Sequence, residues 1–369
     1  MEKIVDFVFI DTRPEFSDFF RPFLPELIRN GFSCQVLSSK ELDIIFNSHV
    51  DLHKAEILSK TKVVVTTNET KWTKYFPQSK KVLLGHSIFM RDTIPSPAVL
   101  DNPFFADFDY YFCPSVYYLQ WTIQALFDCF IFSNLDFRRV IPSADKILIP
   151  GGYVKNNRQY DTRGGAKKIS ILNKTKQILF VPSVYSPEHS GHIFHSHGAA
   201  IIAALADNNF SAKIICRPHP TDRHRDYVLR MVEMFAANKN IIFDLQPTPD
   251  SSLYYESDIL ITDMSGFAFA FASATGKRPI FFVETEEALK HSRFMTLAAR
   301  FGRVVSTHAG LVKQVSKQLA VPDMIDDLEH DYLRQTLYEK FNNVKSMVDD
   351  FIAIYSGTIL SHWTRLPLC

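Results

Sequence analysis

Asp258-Ile-Leu-Ile-Thr-Asp-Met-Ser-Gly-Phe267 decides the fold class of this chain of 369 residues. The apolar run Ile259-Leu260-Ile261 reads as a buried strand. It stops at Thr262-Asp263, and Ser265-Gly266 opens a helix. A second stretch repeats the layout: Ala212 to Cys216 is a strand, and Arg217-Pro-His-Pro220 is the turn at its end. In an open parallel sheet, ligands bind beyond the carboxyl ends of the strands. A helix that starts there presents free N–H groups and a positive dipole end to an anion. Two such strand ends in one half of the chain point to a phosphorylated, nucleotide-linked ligand.

The same alternation runs outward in both directions. Ile4 to Ile10 is a strand, Phe16 to Arg29 carries apolar residues at helical spacing, and Ser33 to Leu37 is the next strand. That opening is β-α-β, the unit of a parallel sheet. Further strands follow at Val63–Val65, Lys81–Leu84, Asp109–Cys113 and Ile147–Ile149, with a helix from Tyr117 to about Phe132. Residues 154 to 176 are polar and basic and read as a linker. Beyond it, strands at Ile178–Val181, Ala212–Cys216, Ile241–Phe243, Ile259–Ile261 and Pro279–Val283 alternate with helices at His197–Asp207, Asp226–Asn238, Ser251–Glu256 and Phe267–Thr275. The remainder to 369 reads as mostly helical. One signal conflicts: Phe267-Ala-Phe-Ala-Phe-Ala272 has the period of a strand. Alanine favours helices and is depleted in strands, so helix is expected.

These motifs resemble the CDP-glycerol glycerophosphotransferase family of teichoic-acid and capsule polymerases. The resemblance rests on Arg217-Pro-His-Pro220, on Tyr254-Tyr-Glu-Ser-Asp-Ile-Leu-Ile-Thr-Asp-Met-Ser-Gly266 and on Gly276-Lys-Arg-Pro-Ile-Phe-Phe282. Lys81-Val-Leu-Leu-Gly-His-Ser87 is similar to a strand that in the family enters a Trp-His-Gly turn, and Pro150-Gly-Gly-Tyr153 with Asp161 is similar to its Gly-Tyr-x-x-x-Asp segment. Lys176 to Ser183 resembles the strand that opens its second domain. The match is good from 212 to 283 and thin before 80. It implies a GT-B architecture: two doubly wound Rossmann-like α/β domains facing a cleft. The first, 1–153, would bind acceptor. After the linker 154–176, the second, 177–340, would bind the nucleotide donor. A helical segment 341–369 would pack back on the first.

Composition sets bounds. Hydrophobic residues make up 46% of the chain and charged residues 22%, an ordinary globular balance. The formal net charge of +1 argues against a bulk electrostatic grip on nucleic acid. The 32 phenylalanines are many, and they read either as an aromatic core or, in part, as contacts with a membrane surface. The five cysteines are odd in number and form no CxxC pair, which fits buried thiols in a reducing cytoplasm. Glu2, Lys3 and Asp6 argue against a signal peptide, and no apolar run reaches the length of a transmembrane helix. The expected location is cytoplasmic, at the inner face of the membrane if the acceptor is lipid-linked.

The implied chemistry moves a glycerol-phosphate or related polyol-phosphate unit from a CDP-linked donor to a glycan or lipid-linked acceptor. A group must hold the pyrophosphate, another must deprotonate the acceptor hydroxyl, and donors must stabilise the leaving phosphate. Ser265 and the N–H groups of Ser265 and Gly266 would face the donor phosphates, although Ser is equally a favoured helix cap. The family has two adjacent Ser here; this chain has Ser265-Gly266. His219, held between two prolines, would donate to phosphate, with Arg217 assisting. Asp263 is a turn carboxylate with a possible direct role. His86, after Gly85 at a strand end, is the candidate general base. The segment His189 to His197 is dense in imidazoles, but it lacks Cys and precedes a helix, so it reads as a loop with His197 near the donor rather than a metal site. No P-loop or dinucleotide fingerprint occurs, and no cofactor or metal is expected. Two other readings remain open: a sugar transferase using a CMP- or UDP-activated sugar, favoured by the Ser-Gly departure, and a non-catalytic nucleotide-sugar-binding component of a polysaccharide assembly complex.

Overall fold

A computed structural model describes residues 4–11, 19–47, 52–67, 71–85, 108–132, 146–153, 175–184, 193–208, 210–246, 256–284 and 293–366. The chain forms two compact units, 1–157 with 335–369, and 158–334. All but Glu256 of the expected helix 251–256, and nearly all of the expected linker, lie outside the described residues.

The first unit begins with β1 (Phe7–Asp11), α1 (Leu24–Arg29), β2 (Cys34–Ser38), α2 (Ser39–Asn47), α3 (Leu52–Ser59) and β3 (Val63–Thr66). β4 (Lys80–Leu84), β5 (Tyr110–Cys113), α4 (Val116–Phe132) and β6 (Lys146–Pro150) follow. The strands pair in parallel in the order β6-β5-β4-β3-β1-β2. Both faces of such a sheet are covered, so its strands are continuous apolar runs rather than alternating ones; Val63, Val64 and Val65 are all fully buried. The helix expected from Phe16 starts only at Leu24 within the described residues, because Pro25 fits the first turn of a helix and not its interior.

Phenylalanine builds one face of this unit. Phe7 and Phe9 of β1 point to the side where Phe23 and Phe351 stack at 5.1 Å, and Phe112 of β5 lies 5.3 Å from Phe351. Val8 and Ile10 point the other way, onto Leu42, Ile45, Trp72 and Phe76. No phenylalanine is among the large apolar side chains exposed in the described residues, so there the aromatic excess is core.

The second unit runs β7 (Lys176–Phe180), α5 (Phe194–Asp207), β8 (Ala212–Cys216), α6 (Asp226–Phe235), β9 (Ile241–Phe243), β10 (Ile259–Thr262), α7 (Phe267–Thr275), β11 (Ile280–Phe282), α8 (Arg293–Phe301), β12 (Arg303–Val305) and α9 (His308–Ala320), followed by α10 (Asp327–Thr336). All six strands are parallel, in the order β12-β11-β10-β7-β8-β9. The ambiguous Phe-Ala run is helical. Ala268 to Ala274 are buried without exception, so the helix has no polar face through which a 3.6-residue period would show. Gly276, at φ 69°, ends it in the left-handed conformation favoured for such caps.

The tail returns to the first unit as α11 (Val344–Ser356) and β13 (Thr364–Leu366), which pairs antiparallel with β6 and completes a seven-stranded sheet. Phe351 enters the aromatic face. The Tyr355 hydroxyl donates to Asp6 at 2.8 Å, and Lys80 Nζ donates to the Ile354 carbonyl at the helix end. The described tail is mostly helical, as expected, and β12 and β13 are two short strands that the sequence did not announce. Each is three residues long and carries arginine, so neither has the length or apolar pattern that marks a strand. No helix among the described residues is long and apolar enough to cross a membrane.

Candidate functional site

The register of the second sheet fixes where its loops emerge. Phe180 of β7 lies opposite Cys216 of β8 and Ile261 of β10, and Ile261 opposite Ile280 of β11. Ser183, His219, Asp263, Ser265 and Glu284 each follow one of these strands by a few residues, so all five stand on the same rim. Chain order runs β7, β8, β9 in one direction and β10, β11, β12 in the other. The switch point of this doubly wound sheet is therefore between β7 and β10, where such folds open a ligand crevice.

Two side chains of β10's end tie the strands together at that point. Thr262 Oγ1 donates to the carbonyl of Val181. Asp263 Oδ1 accepts from the Ser183 N–H at 2.9 Å and the Ser183 hydroxyl at 2.6 Å. Both residues are fully buried. Burial pushes the Asp263 carboxyl up to about 6, against the hydrogen bonds from Ser183 and the nearby N–H of Ile193. The Ile193 amide acts on the carboxyl electrostatically, since Oδ2 has no hydrogen bond of standard geometry. Asp263 is thus first a turn-builder that presents the next residues.

Those residues are Ser265 and Gly266, both half-buried. Ser265 Oγ accepts from the N–H of Phe267 at 3.3 Å, and the N–H groups of Ala268 and Phe269 bond to the carbonyls of Ser265 and Gly266, both at 3.2 Å. These i→i+3 bonds tighten the first turn. Gly266 is the cap residue of α7, and the serine just before it accepts one N–H of the first turn while its own hydroxyl proton is left to donate. The two readings left open by the sequence are compatible.

His219 is half-buried past β8. Its Nδ1 accepts from the N–H of Thr221 at 3.2 Å, which places the proton of the neutral ring on Nε2. The turn is held by Asp222, whose N–H donates to the His219 carbonyl at 2.8 Å and whose buried carboxylate faces Arg225 at 3.0 Å in a charge contact rather than an aligned hydrogen bond.

Arg217 departs from the expected phosphate contact. It is 4% exposed, its Nη1 pairs with the carboxylate of Asp244, and its Nη2 donates to the carbonyl of Gln246 at 3.2 Å. Asp244 follows β9, so Arg217 joins the ends of β8 and β9 and fixes the His219 turn from beneath. His197, in the first turn of α5, lies toward the other side of the sheet. Its Nε2 is 3.7 Å from Glu284 Oε1, and its ring is 5.7 Å from that of His308 and 5.6 Å from that of Phe282. His195 packs edge-on to Tyr227 at 5.0 Å. His189 and His192 lie outside the described residues, among which no three potential metal ligands converge.

His86 also lies outside the described residues. Gly85 before it does not: a Cβ there would stand 2.5 Å from Cδ of Pro114, so only glycine admits the close passage of the chain after β5. Ser183, Glu284 and His308 were missed by sequence reasoning. Ser183 carried a usable signal, as a hydroxyl two residues beyond the first strand of its domain.

The family model for CDP-glycerol:poly(glycerophosphate) glycerophosphotransferase matches residues 137–347, more than half of the chain. A search of curated proteins by sequence finds no match. Among solved structures, the chain is similar to the wall teichoic acid polymerase TagF, with a TM-score of 0.58 at 15% identity over 96% of this chain and 89% of that one. It is also similar to a putative UDP-N-acetylglucosamine 2-epimerase from Listeria monocytogenes, with a TM-score of 0.56 at 11% identity over 96% of this chain and 97% of that one. The UDP-GlcNAc 2-epimerase from Neisseria meningitidis, bound to UDP-GlcNAc, gives 0.51 at 12% identity over 95% and 97%. These likenesses show the GT-B fold. With the family match, they establish that the chain belongs to the CDP-glycerol:poly(glycerophosphate) glycerophosphotransferase family and is an enzyme of that transferase type.

Proposed function

We propose that this enzyme takes its polyol phosphate from a CDP-linked donor held at the switch point of the second unit and passes it to a hydroxyl of a glycan or lipid-linked acceptor. The acceptor oxygen attacks the phosphorus that carries the polyol. A new P–O bond forms, the pyrophosphate P–O bond breaks, CMP leaves, and the hydroxyl proton goes to a base, assigned to His86. His219 Nε2–H, the Ser265 hydroxyl and the N–H groups of Ser265 and Gly266, just ahead of α7, hold the phosphates and take up charge as CMP departs. Asp263 and Arg217 act as positioning residues, through Ser183 and Asp244. A lipid-linked acceptor would place the enzyme at the inner face of the cytoplasmic membrane.

The observation that supports this reading most is the pairing of Asp263 with Ser183. It carries the family's Asp-x-Ser turn to the crevice where an α/β sheet of this order binds ligands. A sugar transferase of the same fold is the second reading, since Gly266 lacks the hydroxyl that the family has there. A thermal-shift series separates the two: CDP and CDP-glycerol should stabilise the chain more than UDP, UDP-GlcNAc or CMP-linked sugars. Stabilisation by UDP-sugars alone would replace the first reading with the second.

A further inference from the structure

A groove of about 910 Å³ runs along α9, faced by Ala204 near the end of α5 and by Asn208 and Phe210 just beyond it. It is outside the crevice described above. His308, the first residue of α9, stands at its upper end, and Asn208 and Ala320 mark the lower. Because α9 follows a strand of the parallel sheet, it starts at the functional rim and runs down the flank for 13 residues, roughly 20 Å at 1.5 Å per residue. The upper end is also tied to the rim through rings. His308 stacks on Phe282 at 5.3 Å, and His197, next to Glu284, lies 5.7 Å from His308.

The walls have one sign of charge. Lys313 and Lys317 both line the groove, and no acidic side chain does. The chain as a whole is nearly neutral, at +1, so this run is a local departure and not a general bias. Both lysines are exposed and neither is paired with a carboxylate among the described residues. Four residues apart on one helix, they stand about 5–6 Å from each other at Cβ, and their flexible stems let the two ammonium groups reach successive phosphates of an extended phosphodiester chain. Ser316 and Asn208 add hydroxyl-binding groups, and Ala204, Ala309 and Ala320 leave room for a chain to lie against the helices. The Nε2 of His308 is buried with no hydrogen-bond partner among the described residues.

We propose that this groove is a secondary binding track for the polyanionic acceptor chain, which lies along α9 with successive phosphodiesters on Lys313 and Lys317. The inference rests on the polyol-phosphate transfer proposed above and narrows its acceptor to a chain that already carries polyol phosphates. It gives the enzyme a hold on the chain away from the reacting end, so that transfer to longer acceptors is favoured over short ones. A free surface of the same charge would bind any polyanion; Ser316 and Asn208 beside the lysines favour a polyanion that also carries hydroxyls.

The test uses the full-length protein and a fluorescently labelled poly(glycerol phosphate) oligomer of about six units, with the double variant Lys313→Glu and Lys317→Glu. Affinity for the oligomer should fall at least about tenfold in the variant, and in the parent it should weaken with added salt. The stabilisation by CDP should be unchanged, and the melting temperature should match the parent's. Parent-like oligomer affinity in the variant overturns the proposal, as does inorganic polyphosphate of equal length binding the parent as tightly as the oligomer. Failure of CDP to stabilise the parent falls instead on the donor reading, because the oligomer measurement does not depend on the donor.

Discussion

At Asp263 a fully buried carboxylate holds two hydrogen bonds from one serine. Replacing it with alanine leaves a buried N–H and a hydroxyl without an acceptor, which costs about 1–3 kcal/mol. Asp263→Ala should lower stability by that amount in urea titrations and weaken the response to CDP; Asp263→Asn, which keeps an acceptor oxygen, should do less of both. The titration has a sign. The folded carboxyl sits at about 6 and the unfolded one near its ordinary value of about 3.9, because burial penalises the charged form. Its contribution is full below the unfolded value and is lost as pH rises through about 6. The parent should therefore lose stability between about pH 4 and 6.5 relative to Asp263→Asn, and a flat difference across that window would contradict the assignment. Arg217 gives the second prediction. Arg217→Met strands Asp244 without its partner and should cost about 3–5 kcal/mol. A variant of unchanged stability that only binds CDP more weakly would return Arg217 to the phosphates. The two histidines separate in kinetics. His86→Ala should lower kcat by roughly 10²–10⁴ with CDP binding little changed, whereas His219→Ala should weaken CDP binding and rate together, because its hydrogen bond exists before the reaction starts. Near-normal turnover of His86→Ala, or CDP binding lost there and kept in His219→Ala, would sink the assignment.

At the scale of elements, the long strands and the helices between them were legible because burial on both faces writes itself as continuous apolar sequence. Ala212–Cys216, Ile241–Phe243 and the helix Phe267–Thr275 fall where the sequence puts them. β12 and β13 were not legible. They are held by pairing, β12 to the preceding strand β11 and β13 to the distant β6, and not by any pattern of their own. The role of Arg217 was hidden for the same reason: its partner Asp244 arrives from a strand that sequence alone does not place beside β8. Close packing between elements gives a prediction of its own. Gly85 of the first unit meets Pro114 and the Phe112 carbonyl where a Cβ would stand at 2.5 and 2.9 Å. Gly85→Ala should therefore destabilise by about 1–3 kcal/mol and displace the segment that follows β4, with lost turnover as a secondary effect. A neutral Gly85→Ala melting curve would show that the chain has room there.

At the scale of the whole molecule, the alternation of strands and helices announces two doubly wound units, and the family match and structural likenesses agree with it. The location of the crevice is a property of strand order, which no local pattern records. Only when β7 and β10 stand side by side does the Ser183–Asp263 contact exist, and with it the presentation of Ser265 at the mouth of α7. The central claim, a CDP-linked donor on that turn, is tested most directly by thermal unfolding of the parent and Ser265→Ala across a range of CDP concentrations. At about 100 times its dissociation constant, CDP should stabilise the parent by roughly 2.7 kcal/mol, and the same concentration should stabilise Ser265→Ala clearly less. Absence of any CDP-induced shift in the parent, or identical shifts in the two proteins, would contradict it.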